Sequence, residues 1–163
     1  TKLFVHKWRS EEQAIMVGWK TIANDNPQLN VRSVSGESPH RFVIDSGCNT
    51  PVDSKVFTDG GKTTVLVKEN RFKKLPNNVE VIKLDHVDPK TILEVIYNKQ
   101  FLSVFIEGGA TTLKSFIDYG LWDEARVLEG DIYFKKGLQA PKIKLKPTQI
   151  TKLGKDTLYY FNR

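Results

Sequence analysis

The chain has 163 residues, with 25 Lys and Arg against 19 Asp and Glu, for a formal net charge of +6. At 39% hydrophobic, 27% charged and 10% aromatic, it is neither collagen-like, low-complexity nor wholly disordered. That length suits one domain with a sizeable core, and no apolar run approaches the roughly 18 residues of a membrane span. Residues 2–12 read as a helix, with Leu3, Phe4 and Trp8 at helical spacing. Ala14-Ile15-Met16-Val17 is a continuous apolar run stopped by Gly18, the pattern of a buried strand. Asp25-Asn26-Pro27 breaks the short helix that follows. Residues 41–45, 63–67 and 79–84 read as further strands, and Asp88-Pro89 opens a helix as N-cap and first helical residue. That helix is expected to turn Ile92, Val95, Ile96 and Leu102 to the core. Residues 103–107 form the next strand, and Gly108-Gly109 leads into a helix striped by Leu113, Phe116 and Ile117 that ends at Gly120. Strands are then expected over 125–128, 131–134, 149–153 and 157–161. Strand–helix alternation followed by a strand-rich tail predicts an α/β fold, with a mixed, mostly parallel central sheet flanked by helices and antiparallel strands at the C-terminal end.

The basic excess lies partly in Arg71-Phe72-Lys73-Lys74 and Lys142-Ile143-Lys144-Leu145-Lys146. Neither tract has the aromatic platform of a single-strand binder, and solvated surface is the plainer reading. Small phosphorylated ligands are another use of such a balance. The start, Thr1 to Arg9, lacks the apolar core of a signal peptide. A single cysteine, Cys48, excludes an internal disulfide and a cysteine zinc site, and a cytoplasmic setting is expected.

Ligands of open α/β sheets bind at the carboxyl ends of strands. Those ends here are Val17 to Thr21, Ile44 to Gly47, and Ile106-Glu107-Gly108-Gly109-Ala110-Thr111-Thr112. The last combines glycines that admit a ligand to the backbone with helix-start amides able to hold a phosphate; a glycine turn with Ser/Thr capping is the plain alternative. It matches neither the Rossmann nor the Walker A fingerprint. Glu107 at a buried strand end needs a partner, either a ligand or a structural cation. His6, His40 and His86 show no metal spacing, so no metal is expected. Cys48 has no nearby His to make it a nucleophile. The chemistry is left to a bound organic cofactor.

The stretch Ala14 to Arg32, with its elements G-x-x-T-x-x-x-D-N-P-x-L-x-V-R, and Ser103 to Glu124, with E-G-G-x-T-x-x-x-S-F and G-L-x-D-E, resemble the two main motifs of one family. Phe42 to Ser46 resembles a third, weaker element. The family is the reductase domain of the bifunctional riboflavin-biosynthesis deaminase/reductase, which has a dihydrofolate-reductase-like fold. The resemblance runs from about Val5 to about Glu124. It implies NADPH-dependent reduction of 5-amino-6-(5-phosphoribosylamino)uracil to the ribityl compound. Thr21, Asp25, Ser46 and the run Gly109, Ala110, Thr111, Thr112, Leu113, Lys114 and Ser115 match its cofactor positions. Arg9, Leu29, Arg32 and Glu107 match its substrate positions, with Glu107 the first candidate for the catalytic polar group and Asp25 the second. Lys68 is a further candidate for the cofactor's 2′-phosphate.

The same resemblance implies a phosphorylated pyrimidine-ribose substrate, a homodimer and a deaminase domain or protein in the same pathway, with neither nucleic acid nor membrane as partner. Two other readings stay open: a same-fold reductase for another pterin- or pyrimidine-like substrate, and a non-catalytic dimerisation half. The family domain opens with a strand and an S-x-D-G loop that nothing before the first helix supplies here, so residues 1–163 are expected to form a single reductase domain lacking that first strand. The zinc deaminase's H-x-E and P-C-x-x-C elements are absent from these residues. Trp19 and Lys20 stand where the family carries smaller residues, and Gly130 to Phe134 replaces its A-P-x-x-x-G stretch.

Overall fold

Runs such as Ala14 to Val17 and Thr63 to Val67 have no polar side to turn to water, so they are stable only with both faces covered. In the computed structural model, which describes residues 2–132 and 137–163, they form the middle of a five-stranded parallel sheet. The chain order is α1 (Lys2–Glu11), β1 (Ala14–Gly18), α2 (Trp19–Asp25), β2 (His40–Ile44), α3 (Lys55–Thr58), β3 (Thr63–Val67) and β4 (Val79–Lys83). It continues through α4 (Pro89–Asn98), β5 (Val104–Gly108), α5 (Ala110–Tyr119), β6 (Glu124–Glu129), β7 (Gln149–Leu153) and β8 (Asp156–Asn162). The parallel sheet runs β4-β3-β2-β1-β5, so every carboxyl end opens on one edge.

Alternation along the strands divides the core in two. Ile15, Val17, Val43, Val65 and Val67 pack with Ile22 of α2, Leu29, and Val56 and Phe57 of α3. Ala14, Met16, Phe42 and Leu66 pack with Ile92 and Ile96 of α4 and Phe116 of α5. Asp88 caps α4 by accepting from the amides of Lys90 and Thr91, with Pro89 in the first turn. Gly120, left-handed at φ 66°, closes α5 with its amide on Ile117 O and Phe116 O.

Four expectations change. Leu3 of α1 is 63% exposed; the buried side of that helix carries His6, Trp8 and Arg9, because its partners are polar groups described below. Leu102 is 79% exposed: α4 ends at Asn98, and Gln100 at φ 66° turns the chain away before Leu102. Asp131 and Ile132 are not in a strand, and residues 133–134 lie outside the described residues. The late antiparallel strands form their own sheet, β6-β8-β7, instead of extending the parallel one. β5 and β6 each end their sheet. Side chains link them: Trp8 meets Phe105 edge-on at 6.4 Å, and the Arg126 guanidinium lies 5.0 Å from the Trp8 ring. Among the described residues, no helix is long and apolar enough to cross a membrane.

Phe42 is wholly buried, so Phe42→Ala is expected to lower stability by about 3–5 kcal/mol while Leu102→Ala stays within roughly 0.5 kcal/mol, as read by urea unfolding. His40 sits between Phe42 (4.9 Å) and Phe101 (4.8 Å), with Nε2 2.8 Å from Thr64 Oγ1. Burial first, then the nearby Lys99 charge, pushes its imidazole down to about 4 from 6.5. The unfolded chain therefore binds the extra proton first as pH falls below 6.5, and folding stability drops with it. His40→Gln is expected to flatten the fall in urea midpoint between pH 6.5 and 5; an unchanged slope would show that other groups carry it.

Candidate active site

Strand β1 ends at Gly18, and α2 starts at once, carrying Thr21 in its middle and Asp25 at its end. Asn26 stops α2 in the left-handed region at φ 41°, as the Asp-Asn-Pro breaker requires. The following loop runs inward: Leu29, at φ 54°, buries its side chain in the core. Its backbone is held by three side chains. Arg9 Nη1 donates to Asn30 O (3.0 Å), Arg41 Nη1 donates to Gln28 O (2.9 Å), and His6 Nδ1 accepts from Arg32 N (3.4 Å). Arg41 is itself fixed by two bonds to Asp59 (2.8 and 2.7 Å), which hold that carboxyl below its usual range. Burial, followed by the charges of Arg9 and Arg32, pushes the His6 imidazole down.

At the end of β2, the wholly buried Asp45 accepts from Asn49 N (2.8 Å) and from the amide and hydroxyl of Thr50 (both 2.7 Å). These bonds fold the turn that presents Ser46 to the site. At the end of β5 the register changes. Met16 pairs with Ile106 but Val17 pairs with Gly108, which leaves Glu107 as a bulge. Its carboxylate is gripped by Arg9: Nε donates to Oε2 at 2.9 Å and Nη2 to Oε1 at 2.5 Å. The partner that Glu107 needed within the protein is therefore a cation on α1.

Next to it, Gly109 has φ 82°, and a Cβ there would lie 3.3 Å from Thr21 Oγ1 and 3.4 Å from Thr112 Oγ1. At Gly18 a Cβ would come within 2.9 Å of Thr112 Oγ1. Glycine thus lets the ends of β1 and β5 approach the two threonines. Helix α5 has no side-chain cap and no acidic residue in its first turn. The amides of Ala110, Thr111 and Thr112 precede the Leu113 N–Gly109 O bond (3.0 Å) and have no intrahelical acceptor. This is a start suited to an anion.

These ends surround a cavity of about 900 Å³. Of the residues singled out in the sequence, Arg9, Thr21, Asp25, Leu29, Ser46 and Glu107 line it, with Gly109, Ala110, Thr111, Thr112 and Ser115. Arg32, Leu113, Lys114 and Lys68 do not. Arg32 is exposed and bonds Asn30 Oδ1 at 2.9 Å, while Lys114 points out to pair with Asp118. Sequence reasoning missed the apolar wall of Val87, Pro89 and Ile92. The strand end before Asp88 was a usable signal for Val87; Leu138, at the rim, follows no recognisable pattern. Trp19 and Lys20 also line the cavity, with Lys20 Nζ 5.8 Å from the Trp19 ring.

A parallel sheet whose strand ends converge on a glycine-rich helix start, with a carboxylate beside it, defines an α/β protein with a cleft at its strand ends, the usual ligand position of such sheets. The chain belongs to the family of RibD C-terminal domains, which its residues 1–159 match. It is 31% identical over 145 residues to a 2,5-diamino-6-ribosylamino-4(3H)-pyrimidinone 5′-phosphate reductase of Archaeoglobus fulgidus, covering 79% of this chain and 66% of that protein. It is 29% identical to the riboflavin biosynthesis protein RibD of Aquifex aeolicus over 97% of this chain and 48% of that one. The chain thus spans between about half and two thirds of the length of these relatives. A Thermotoga maritima structure, named as a diaminohydroxyphosphoribosylaminopyrimidine deaminase/5-amino-6-(5-phosphoribosylamino)uracil reductase, superposes with a TM-score of 0.89 at 24% identity. It covers 99% of this chain and 48% of that chain, and shares the fold.

Gly109→Ala would force a side chain into a strained backbone region between two threonines, and is expected to cost about 1–3 kcal/mol of stability, read as a lower urea midpoint.

Proposed function

We propose that the chain is a reductase of riboflavin biosynthesis that uses NADPH to reduce the ribosylamine of a 5′-phosphorylated aminopyrimidine to its ribityl form. The observation that carries this reading is the placement of Glu107: its carboxylate borders the same cavity as the open amides of α5, so an anion-binding site and a polar group sit side by side. The cavity suits the cofactor, because the start of α5 carries no competing carboxylate and glycine at 109 leaves room against Thr21 and Thr112. When bound, NADPH supplies the hydride that reduces the sugar carbon. Thr21, Ser46 and Asp25, with Gly109, Ala110, Thr111, Thr112 and Ser115, would hold it, and the backbone at Leu29 would border the substrate.

Glu107 then has the task left by that chemistry. As the C1′–O bond of the ribose ring breaks, C1′ becomes a cationic imine and the released ring oxygen takes a proton from solvent. A carboxylate at the strand end stabilises the cation and guides that proton; Asp25, at the far end of α2, is the second candidate. Lys20, on the cavity wall, and Arg32, exposed beyond it, form no ion pair among the described residues and are the cations available to the sugar phosphate. The proposal extends to a cytoplasmic homodimer acting beside a deaminase; the bifunctional name of the Thermotoga maritima protein supports the deaminase.

A second substrate is favoured by the name of the Archaeoglobus fulgidus relative. It keeps the 2-amino group where the aminouracil has an oxygen, and either ring presents the same ribosylamine to Glu107.

NADPH at a hundred times its Kd is expected to raise Tm by roughly 5–10 °C, and NADH by far less. Loss of NADPH absorbance should follow addition of the aminouracil or the diaminopyrimidinone. Glu107→Gln is expected to cut turnover by about 10²–10⁴-fold while leaving the NADPH shift intact. An absent shift with either nucleotide would favour the non-catalytic dimerisation half, and a shift without turnover on either compound would favour another pterin- or pyrimidine-like substrate.

A further inference from the structure

We infer that Lys20 supplies the counter-charge for the diphosphate of the cofactor, beside the open amides of α5, an inference that rests on the NADPH-dependent reading above. The charged side chains that line the cavity are Arg9, Lys20, Asp25 and Glu107. Arg9 and Glu107 form an ion pair and cancel in sum, which leaves Lys20 to balance Asp25. Without the lysine the wall would be net negative, and it would repel a ligand that carries phosphates. Lys20 forms no ion pair among the described residues; its Nζ rests 5.8 Å from the ring of Trp19, which is also on the wall. A cation–π contact at an exposed position is weak. It holds the ammonium at the cavity without neutralising it.

Packing puts this lysine beside the start of α5. Val17 pairs with Gly108 across the ends of β1 and β5. A Cβ on Gly18 would fall 2.9 Å from Thr112 Oγ1, and one on Gly109 would fall 3.3 Å from Thr21 Oγ1. Gly18 and Thr21 therefore lie against the first turn of α5, and Lys20 stands between them in the chain. That turn offers amides but no cation of its own, since Lys114 is exposed and pairs with Asp118. Amides at a helix start attract an anion through partial charges only, so an ammonium beside them adds the full charge that a diphosphate calls for. The loop bordering the substrate, with Leu29, follows the other end of α2. From Lys20 to Asp25 the helix rises by roughly 7–8 Å, which sets the ammonium at the cofactor end of the cavity. A lysine is a point charge on a flexible stem, so it can follow either phosphate of the diphosphate.

The test is equilibrium binding by titration calorimetry. The wild type, Lys20→Met and Lys20→Arg are each titrated with NADPH, ADP-ribose and 2′-phospho-ADP-ribose. The last two share the diphosphate and differ only in the 2′-phosphate. Lys20→Met is expected to raise Kd for all three by about tenfold, the size of one charge-assisted hydrogen bond. It should also flatten the rise of Kd with salt concentration, because the screened charge is gone. Lys20→Arg should restore most of both. Lys20 is exposed, so the Tm of the unliganded protein should not move, and lost binding is then not lost fold. A loss confined to NADPH and 2′-phospho-ADP-ribose would assign Lys20 to the 2′-phosphate and overturn the inference. Unchanged binding of all three would overturn it as well, and a raised KM for the phosphorylated aminopyrimidine alone would then make Lys20 a substrate residue. Each of these results leaves the reductase reading standing. A wild type that binds none of the three would instead remove the cofactor reading, and the role of Lys20 with it.

Discussion

The fork between Arg9 and Glu107 joins positions 98 residues apart in the chain, and much of the site is arranged around it. One side of the guanidinium fixes a carboxylate at the end of β5, and another nitrogen reaches the loop that follows α2. Helix α1 therefore does more than cover the sheet: it carries the group that brings a strand end and the loop after α2 into one frame. A buried pair of this kind gains little net stability, because removing two charges from water offsets their attraction. What it contributes is selectivity of arrangement. With either partner absent, the remaining charge would be mostly buried and unpaired, and the local packing would have to open to hydrate it.

The loop from Pro27 to Arg32 follows the same logic with backbone groups. A segment that dips toward the core must find partners for its carbonyls, and arginines provide them at Gln28 and Asn30. Leu29 accepts a left-handed backbone, costly for a branched residue, because its side chain fills the core beside Val17 and Val43. This changes the meaning of the +6 charge. Arg9 and Arg41 are internal struts whose charges are matched by Glu107 and Asp59, whereas Arg32 and Lys20 remain open to anions at the surface.

The parts of the fold that were legible in the sequence are those decided within a few residues. The parallel strands announce themselves by runs with no polar face, α4 by Asp88-Pro89, and the end of α5 by Gly120. The parts that were not legible depend on distant partners. The apolar residues of α1 point to a face through Leu3 and Phe4, yet the helix buries His6 and Arg9, because their partners lie on a strand end and a loop remote in sequence. Leu102 keeps the helical rhythm of α4, but the helix has already ended, a matter of backbone geometry at Gln100. Separation of the tail into its own sheet is likewise invisible to local pattern. In the site, resemblance located the residues whose strand ends converge, while Leu113 and Lys114 fall on turns of α5 that face away. Resemblance conveys which positions matter, but not that Arg9 and Glu107 hold each other.

The bulge at Glu107 ties the site to chain length as well as to chemistry. Along β5, Phe105 and Glu107 share the face toward α1, and Val104 and Ile106 share the other. Removal or insertion of a single residue between Val104 and Glu107 would exchange the two faces. The carboxylate would then turn toward α4 and α5, into apolar surroundings and away from its arginine, without any change in which amino acids are present. Natural variation in this strand should therefore be read by spacing before identity: a homologue with a different residue at 105 keeps the architecture of the site, whereas one with a shifted interval between strand start and glycine pair has lost it.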